Sequence, residues 1–504
     1  MTLERYRSIL DDWDDFWEAN HTPELVTFRA QAGLIPPHQL TRQLQSAGFT
    51  LEPVHGVKSY YRVLSGPGSV AQTLEHWLGF LHVQQAVMGL PSLALAPTPG
   101  DRVLDLCAAP GGKTTHLSEL MSEEGPLIAV DPKEKRIRGL LGNLYRLGCM
   151  NVIVIAGDGR RLPLGPLFDR VLVDAPCSGE GNYRRQEARF PARTSRFIAY
   201  VTRLQEALLR RAIELTRPGG TIVYSTCTYA PEENEAVLDR VLRDAPVTMD
   251  DISLQIPHAP GLLEWQGQRF HRDVARAWRV YPHHLDSGGL FMARLRRHEA
   301  TRQSSSNTEP QSTTPPNGWS PIPLGFPGEN QQGATMRIDN TKHELEHRFG
   351  FSPSLLEDLG WMVRGKHIWA HTARTWPMVG WMDSLETDWR VVSVGLRALR
   401  SAPGNRETPS SHFLTRWADE IAHHRRAELN ATQLLRLLEG ESLPPGTLPA
   451  GPVAIVCDGA VLGRGMVGSR GLTHELGRSY AERLLTLLSS DSPPLDPGSN
   501  FPPP

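Results

Sequence analysis

Two cysteines, Cys177 and Cys227, stand in settings that echo each other. Each follows an apolar run short enough to be a buried strand, Val171-Leu-Val-Asp174 and Thr221-Ile-Val-Tyr-Ser-Thr226. Each lies where that run breaks into a loop, Ala175-Pro-Cys-Ser-Gly179 and Cys227-Thr-Tyr-Ala-Pro231. In an α/β protein with a parallel sheet, loops leaving the carboxyl ends of strands are where ligands bind. Two thiols delivered from two such loops point to a site that uses sulfur covalently, with the thiolate as nucleophile. A lone cysteine in such a loop is more often a small buried hydrophobe; Cys107, Cys149 and Cys457 take that reading.

A third segment supplies a candidate cofactor site. Cys107, Ala108, Ala109, Pro110, Gly111, Gly112 and Lys113 form a small-residue loop that opens a helix. Its glycines let the backbone approach a ligand closely at a helix N-terminus. The loop is not of the GxxxxGK[ST] type, because the leading glycine would have to stand at Cys107, and it is not GxGxxG. One strand later Asp131 is placed to hold a ribose, and Asp158 and Asp174 end the next two strands. The bland alternative is that these aspartates cap helices. A row of acids disfavours a polyphosphate and suits a nucleoside with a cationic centre, such as S-adenosylmethionine. Beside such a methyl donor a thiol has a specific use. Carbon 5 of cytosine is a poor nucleophile until a thiolate adds at carbon 6. A helix start at Pro231-Glu-Glu-Asn234 is expected to help ionise Cys227, partly opposed by its own glutamates. Arg184, Arg185, Arg189, Arg193 and Arg196 crowd the segment after the Cys177 loop, where phosphate contacts are expected.

These loops need a scaffold, and strand and helix alternate from Asp101 onward. Strands are expected at Val103–Cys107, Leu127–Asp131, Val152–Ala156, Phe168–Asp174 and Thr221–Thr226, with a last one at Gly289–Arg294. Helices are expected through Met121, over Lys133–Leu147 (carrying Arg136) and over Arg203–Thr216. The alternation implies a doubly wound α/β sheet. The organisation reads as an N-terminal α/β segment over 1–97, a catalytic domain over 98–298 and a flexible linker over 299–335 rich in Ser, Thr, Pro, Gln and Asn. An intermediate domain over 336–400, a terminal domain over 401–488 with a hairpin turning at Asp458-Gly459, and a disordered Pro/Ser tail over 489–504 complete it.

The length of 504 residues fits roughly two to four domains. No apolar run approaches the ~20 residues that span a bilayer, and the N-terminus lacks a signal-peptide plan. Five cysteines without a CxxC pair predict neither a zinc site nor a disulfide framework, so no metal is expected. Free thiols suit a reducing cytoplasm. A net charge of −2 is no footprint of a polyanionic partner, although a local patch can act inside a neutral total.

Taken together, Asp105-Leu-Cys-Ala-Ala-Pro-Gly-Gly-Lys-Thr114, Asp174-Ala-Pro-Cys-Ser-Gly179, Ser225-Thr-Cys-Thr228 and Pro231-Glu-Glu-Asn-Glu235 resemble the signatures of the Nol/Nop/Sun RNA cytosine-5 methyltransferases. The resemblance covers residues 20–297. The Gly179-Glu-Gly181 variant, the length and the C-terminal layout are most similar to the bacterial RsmF group, which acts on 16S ribosomal RNA.

The resemblance implies a Rossmann-like S-adenosylmethionine-dependent core, a small N-terminal α/β segment and a C-terminal PUA-like α+β module that binds RNA. Cys227 would attack carbon 6, Cys177 would assist release of the methylated product, and Asp174 would lie between cofactor and flipped cytosine. Residues Cys107 to Lys113 with Asp131, Arg136 and Asp158 would line the cofactor site, and Arg464, Arg470 and Arg478 would contact RNA. The expected partner is 16S ribosomal RNA in the small subunit, met by a monomer. The family pattern Arg-x-Asn is reduced to Arg29-Ala-Gln31, and Gln84-Gln-Ala-Val87 replaces a glutamine followed by an acid and serines. Transfer RNA is the rival substrate, and a DNA cytosine methyltransferase attacking through Cys177 is the rival mechanism. A non-catalytic RNA-binding assembly factor is the rival of another class.

Overall fold

Strands with apolar centres, several ending in a carboxylate, build the core. The computed structural model describes residues 3–165, 167–186, 194–299, 319–377, 390–402 and 406–488. Strands β1 (Val103–Asp105), β2 (Leu127–Asp131), β3 (Val152–Ala156), β4 (Phe168–Asp174) and β5 (Thr216–Thr226) lie parallel in the order β3-β2-β1-β4-β5. Every residue of β2 and β3 is buried, as expected of strands covered on both faces. Beyond β5 the sheet continues antiparallel through β7 (Leu290–Arg297) and β6 (Trp278–Val280). Helices α1 (Gly112–Leu120), α2 (Glu134–Arg146) and α3 (Ser195–Leu215) pack on it; α2 turns Ile137, Leu140 and Leu144 inward at helical spacing. The order reverses between β1 and β4, which makes their carboxyl ends the topological switch point where a ligand crevice opens. The expected doubly wound α/β core is therefore present.

The N-terminal segment carries an antiparallel sheet of Thr50–Pro53, Tyr60–Ser65, Thr27–Ala30 and Leu81–Val83. Arg29 joins it to the core. Wholly buried, it donates to Gln31 Oε1 (3.0 Å) and Thr115 Oγ1 (3.0 Å) and ion-pairs with Glu119 of α1. Gln31, a departure from the family pattern, thus still serves the arginine. Gly79 makes the same junction through backbone: its φ is +80° and an added Cβ would stand 2.1 Å from the Arg146 carbonyl oxygen. Gly79→Ala should therefore cost roughly 2–4 kcal/mol, combining left-handed strain with a backbone clash. Thermal unfolding and faster proteolysis between the N-terminal sheet and the core would report it.

The C-terminal half corrects the expected boundaries. Residues 300–318 and 489–504 lie outside the described residues, so the linker and tail expectations there are not addressed. The rest of the expected linker is built into the fold. Trp319 is buried edge-on against Phe168 at 5.3 Å and donates to the Leu167 carbonyl, and a helix begins at Gln331. The polar composition of 301–317 masks these apolar anchors, which need a partner far away in sequence to be recognised. Strand β8 (Arg390–Val394), assigned above to an intermediate domain, instead pairs antiparallel with β3 and extends the core sheet. The boundary at 400 also fails, since Leu396–Ala402 and Arg406–Pro409 pair across it. The last unit is a sheet of β9 (Arg426–Leu429), β10 (Gly451–Cys457), β11 (Ala460–Gly468) and β12 (Gly471–His474) with helices α5 (Ala431–Leu438) and α6 (Arg478–Leu488). Its first pair is parallel, and β10 and β11 turn at Asp458-Gly459, both with positive φ, as the hairpin reading expects. Among the described residues no helix is long and apolar enough to cross a membrane.

Candidate active site

The two cysteine loops meet at the carboxyl ends of β4 and β5, next to the switch point. Cys177 follows β4 and Cys227 follows β5, and their sulfurs stand 3.3 Å apart as free thiols. A buried polar network braces the loops against each other. Glu233, wholly buried, accepts from the Ser178 N–H (2.9 Å) and from Gln205 Nε2 (2.9 Å), which also donates to the Pro176 carbonyl (2.9 Å). These bonds hold the chain on both sides of Cys177. The Ser178 and Thr228 hydroxyls meet at 2.6 Å, and the Gly181 N–H donates to the Cys227 carbonyl at 2.9 Å. Thr228 and Tyr6 both donate to Glu180, at 3.0 and 2.6 Å.

The sulfurs are not equivalent. Cys227 shares a hydrogen bond with Cys177, Asn182 Nδ2 lies 3.4 Å from the Cys227 sulfur, and the Lys113 ammonium adds a favourable charge. Together they hold Cys227 below the ordinary thiol range, against burial and the Asp174 carboxylate. The same hydrogen bond and burial push Cys177 well up. The expected helix contribution is not made: the helix α4 (Glu235–Leu242) starts eight residues beyond Cys227, and Glu233 and Asn234 point into the loop network.

Lys113 reaches across from α1 to Asp174 (Nζ–Oδ2 2.8 Å), whose other oxygen accepts from Ser225 Oγ at 2.8 Å. Burial works against the Lys113 charge, but Asp174 raises its pKa overall. Asp105, at the end of β1, accepts from Thr114 and is pushed up to about 7 by burial.

The small-residue loop follows β1 as expected. Gly111 takes φ +108° and an added Cβ would meet Leu140 at 2.8 Å, so the close turn from Pro110 into α1 requires glycine. Asp131 ends β2, wholly buried. Its Oδ1 accepts from the Lys133 N–H (2.9 Å) and its Oδ2 faces Arg136 at 3.0 Å without a hydrogen bond. Arg136 also donates to the Ala109 carbonyl, binding the loop to the β2 end. Burial raises Asp131. Asp158, after β3, caps the turn Gly159–Arg161 and is gripped by Arg160, which lowers its pKa. Burial first, then the nearby Asp105, Asp174 and Asp131 carboxylates, push the Cys107 thiol well up. A wholly buried carboxylate at a strand end, beside a glycine-formed turn and an acidic wall, fits a ribose and a cationic nucleoside such as S-adenosylmethionine.

The expected RNA contacts fare less well. Arg184 is buried: it donates to the Thr22, Pro23 and Ser287 carbonyls and pairs with Asp286 at 2.9 Å, so it fastens the N-terminal segment instead of facing a phosphate. Arg189, Arg193 and the Arg185 side chain lie outside the described residues, and Arg196 is exposed. Arg464 is committed to Glu475 (2.7 Å) and the Pro409 carbonyl (2.7 Å); Arg478 pairs with Glu482, and Arg470 is exposed. Away from this site, Asp12, His283 and His284 bring ligand atoms within 4.8 Å of one another, a metal-like cluster the chain positions did not suggest. His284 Nδ1 accepts the Tyr281 N–H at 3.2 Å, which leaves the proton on Nε2 facing Asp12, and the trio serves as an internal contact.

The polar network was not legible beforehand, because Tyr6, Glu180, Gln205 and Asn182 are ordinary residues until the fold gathers them. The comparisons agree with the geometry. A family model described as 16S rRNA methyltransferase RsmB/F matches residues 92–296. The chain is 33% identical over 297 residues to a tRNA (cytosine(49)-C(5))-methyltransferase of Pyrococcus abyssi, covering 58% of this chain and 95% of that protein. It is 29% identical over 480 residues to the ribosomal RNA small subunit methyltransferase F of Aliivibrio fischeri, covering 92% and 94%. A solved methyltransferase homolog protein from Pyrococcus horikoshii, 33% identical, aligns with a TM-score of 0.53 over 58% of this chain and 93% of that one. The chain spans 38% and 40% of the length of the human and mouse 28S rRNA cytosine-C5 methyltransferases it matches. Because the chain covers 95% of a relative at one third identity, and carries both cysteine loops on the parallel sheet, it belongs to the RNA cytosine-5 methyltransferase family of the RsmB/F and Nol/Nop/Sun type.

Proposed function

We propose that this protein methylates carbon 5 of a cytosine in 16S ribosomal RNA through a covalent adduct at Cys227. The observation that carries the reading is the unequal sulfur pair next to the switch point, beside Lys113 and Asp174 and the glycine-turned loop. The Cys227 sulfur adds to carbon 6 of a base drawn out of its stack, and the electron pair of the 5,6 double bond shifts toward carbon 5. S-adenosylmethionine, when bound against Cys107–Lys113, Asp131, Arg136 and Asp158, supplies an electrophilic methyl group on a sulfonium. Carbon 5 would take that methyl as its bond to the sulfonium breaks, releasing a neutral thioether; carbon 5 then gives up its proton to water, the C–H pair re-forms the 5,6 double bond, and Cys227 leaves as a thiolate. Cys177, one hydrogen bond from that sulfur, assists the release. Asp174, held by Lys113 and Ser225, faces the base and fixes its orientation.

The 16S target rests on the similarity to the Aliivibrio fischeri small-subunit enzyme along nearly the whole chain. In this reading the β9–β12 unit is the PUA-like RNA-binding module, with Arg470 as a contact, and the N-terminal α/β segment packs as a substrate-side wall. Transfer RNA is the second reading, favoured by the Pyrococcus abyssi relative. The protein works as a monomer in the cytoplasm, where its thiols stay reduced.

Labelled S-adenosylmethionine offered with small subunits, naked 16S RNA and bulk transfer RNA tests the assignment. Label at carbon 5 of a 16S cytosine is the expected result. Label confined to transfer RNA would move the target, and no transfer to any RNA would sink the enzyme reading in favour of an assembly factor. Asp174→Asn should keep the shape but lose the charge that pairs with Lys113, slowing methyl transfer by roughly 10²–10³-fold. Single-turnover rates with saturating RNA would measure it.

A further inference from the structure

Asn182 belongs to none of the sequence motifs above, yet the fold brings it to the reacting sulfur. It sits in a 3-10 turn over Glu180–Gln186 that follows the Cys177 loop. That turn is tied down on every side. The Gly181 N–H donates to the Cys227 carbonyl (2.9 Å), the Asn182 N–H donates to the Gly179 carbonyl (3.0 Å), and Glu180 is held by Tyr6 and Thr228. The amide is thus carried on backbone hydrogen-bonded to the very cysteine it touches, with Nδ2 3.4 Å from Cys227 Sγ.

An amide NH2 can only donate, so the sulfur at this contact is the acceptor. Ionised acceptors take such bonds more strongly than neutral ones, and the contact therefore favours thiolate over thiol. The other groups facing the sulfur are the Cys177 thiol and the Lys113 ammonium, which act in the same direction, and the Asp174 carboxylate, which opposes them.

We propose that Asn182 is a positioning residue for Cys227, its side-chain amide holding the sulfur as a hydrogen-bond acceptor both when it attacks and when it leaves. In the attack the bond points the ionised sulfur along a fixed direction. In the adduct the sulfur is a neutral thioether and accepts weakly, so the contact is worth most before carbon–sulfur bond formation and after its cleavage. As that bond breaks, its electron pair returns to sulfur and Asn182 stabilises the departing thiolate. Cys177 does not replace this donor, because an S–H group is a weaker donor than an amide N–H. The proposal rests on the covalent methyl-transfer reading for its catalytic meaning, but the hold on the sulfur can be measured without RNA.

The test is the pH dependence of Cys227 alkylation by iodoacetamide in the full-length protein, followed by peptide mass spectrometry, in wild type, Asn182→Ala and Asn182→Asp. Alkylation proceeds by displacement of iodide by the thiolate, so its midpoint reports ionisation. Asn182→Ala should raise the midpoint by about one pH unit, a roughly tenfold slower alkylation near neutral pH. Asn182→Asp, nearly isosteric, replaces the donor with a like charge and should raise it further. Asn182→Gln, which keeps the donor, should recover part of the shift. The acid limb of kcat/KM for methyl transfer should move by the same amount. Unmoved midpoints in both the alanine and aspartate variants, whatever their activity or melting temperature, would overturn the proposal and leave Asn182 a structural residue. A shifted midpoint in a protein whose wild type transfers no methyl group to RNA would support the hold on the sulfur and overturn the methyl-transfer reading alone.

Discussion

Cys227→Ala is expected to abolish methyl transfer, a loss on the order of 10⁴-fold or more, whereas Cys177→Ala should leave the enzyme joined to its RNA. The two results differ because the two sulfurs differ. Removing Cys227 removes the thiol that its hydrogen bonds and Lys113 hold below the ordinary range, and without the proposed carbon 6 adduct the cytosine ring has no route to a nucleophilic carbon 5. Cys177, although 3.3 Å away, does not take over. Its pKa is pushed well up, and Glu233 and Gln205 fix its loop on both flanks. Removing Cys177 leaves the attack possible but takes away the group nearest the departing sulfur, so the adduct outlives the reaction. A slowly migrating, detergent-resistant protein–RNA band in Cys177→Ala, absent in the double variant, is the expected readout. The same band in Cys227→Ala would reverse the roles and make Cys177 the nucleophile, the arrangement of the DNA-enzyme rival.

The chemistry was legible because it is local. Each motif sits at a strand–loop junction, so an apolar run followed by Pro, Gly or Thr marks both the element and its functional end. The strands Leu127–Asp131, Val152–Ala156 and Phe168–Asp174 have the expected limits. What stayed hidden is what depends on distant partners. The pattern of β8 announces a strand but not that β3 is its neighbour. Trp319 marks no boundary until Phe168 is placed beside it. The basic run at 184–196 suggested phosphates, yet Arg184 turns inward because three carbonyls and Asp286 converge on it. The start of α3 lies eight residues earlier than expected, since Thr194 caps the Phe197 N–H and Ile198 and Val201 already turn inward at helical spacing. The glutamates of Pro231-Glu-Glu-Asn-Glu235 looked like the acidic first turn of a helix, whereas Glu233 and Glu235 are wholly buried and bonded.

That last feature carries the largest expected effect on stability: Glu235→Ala should cost roughly 3–5 kcal/mol. Glu235 and Arg279 form a two-armed ion pair, Nε–Oε1 and Nη2–Oε2 both 2.6 Å, with side-chain exposures of 0% and 2%. Burial opposes the arginine's charge, and Glu235 more than restores it, leaving the pKa above the ordinary value. Removing the carboxylate strands that charge against Phe291 and also frees the Leu262 N–H, which Glu235 accepts at 3.0 Å. The penalty is the desolvation of an unpaired ion more than the worth of the pair itself, so Glu235→Leu combined with Arg279→Met should recover much of the loss. At roughly 2–4 °C per kcal/mol, the single variant should melt about 10 °C lower. Activity should fall before the fold does, because Arg279 also donates to the Tyr229 carbonyl (3.0 Å), two residues from Cys227. Methylation measured well below the melting temperature should therefore be reduced in Glu235→Ala and partly restored in the apolar double variant only if Tyr229 finds another anchor. Equal melting temperatures for wild type and Glu235→Ala would mean that water reaches Arg279, and that the pair is not the buried brace its geometry describes.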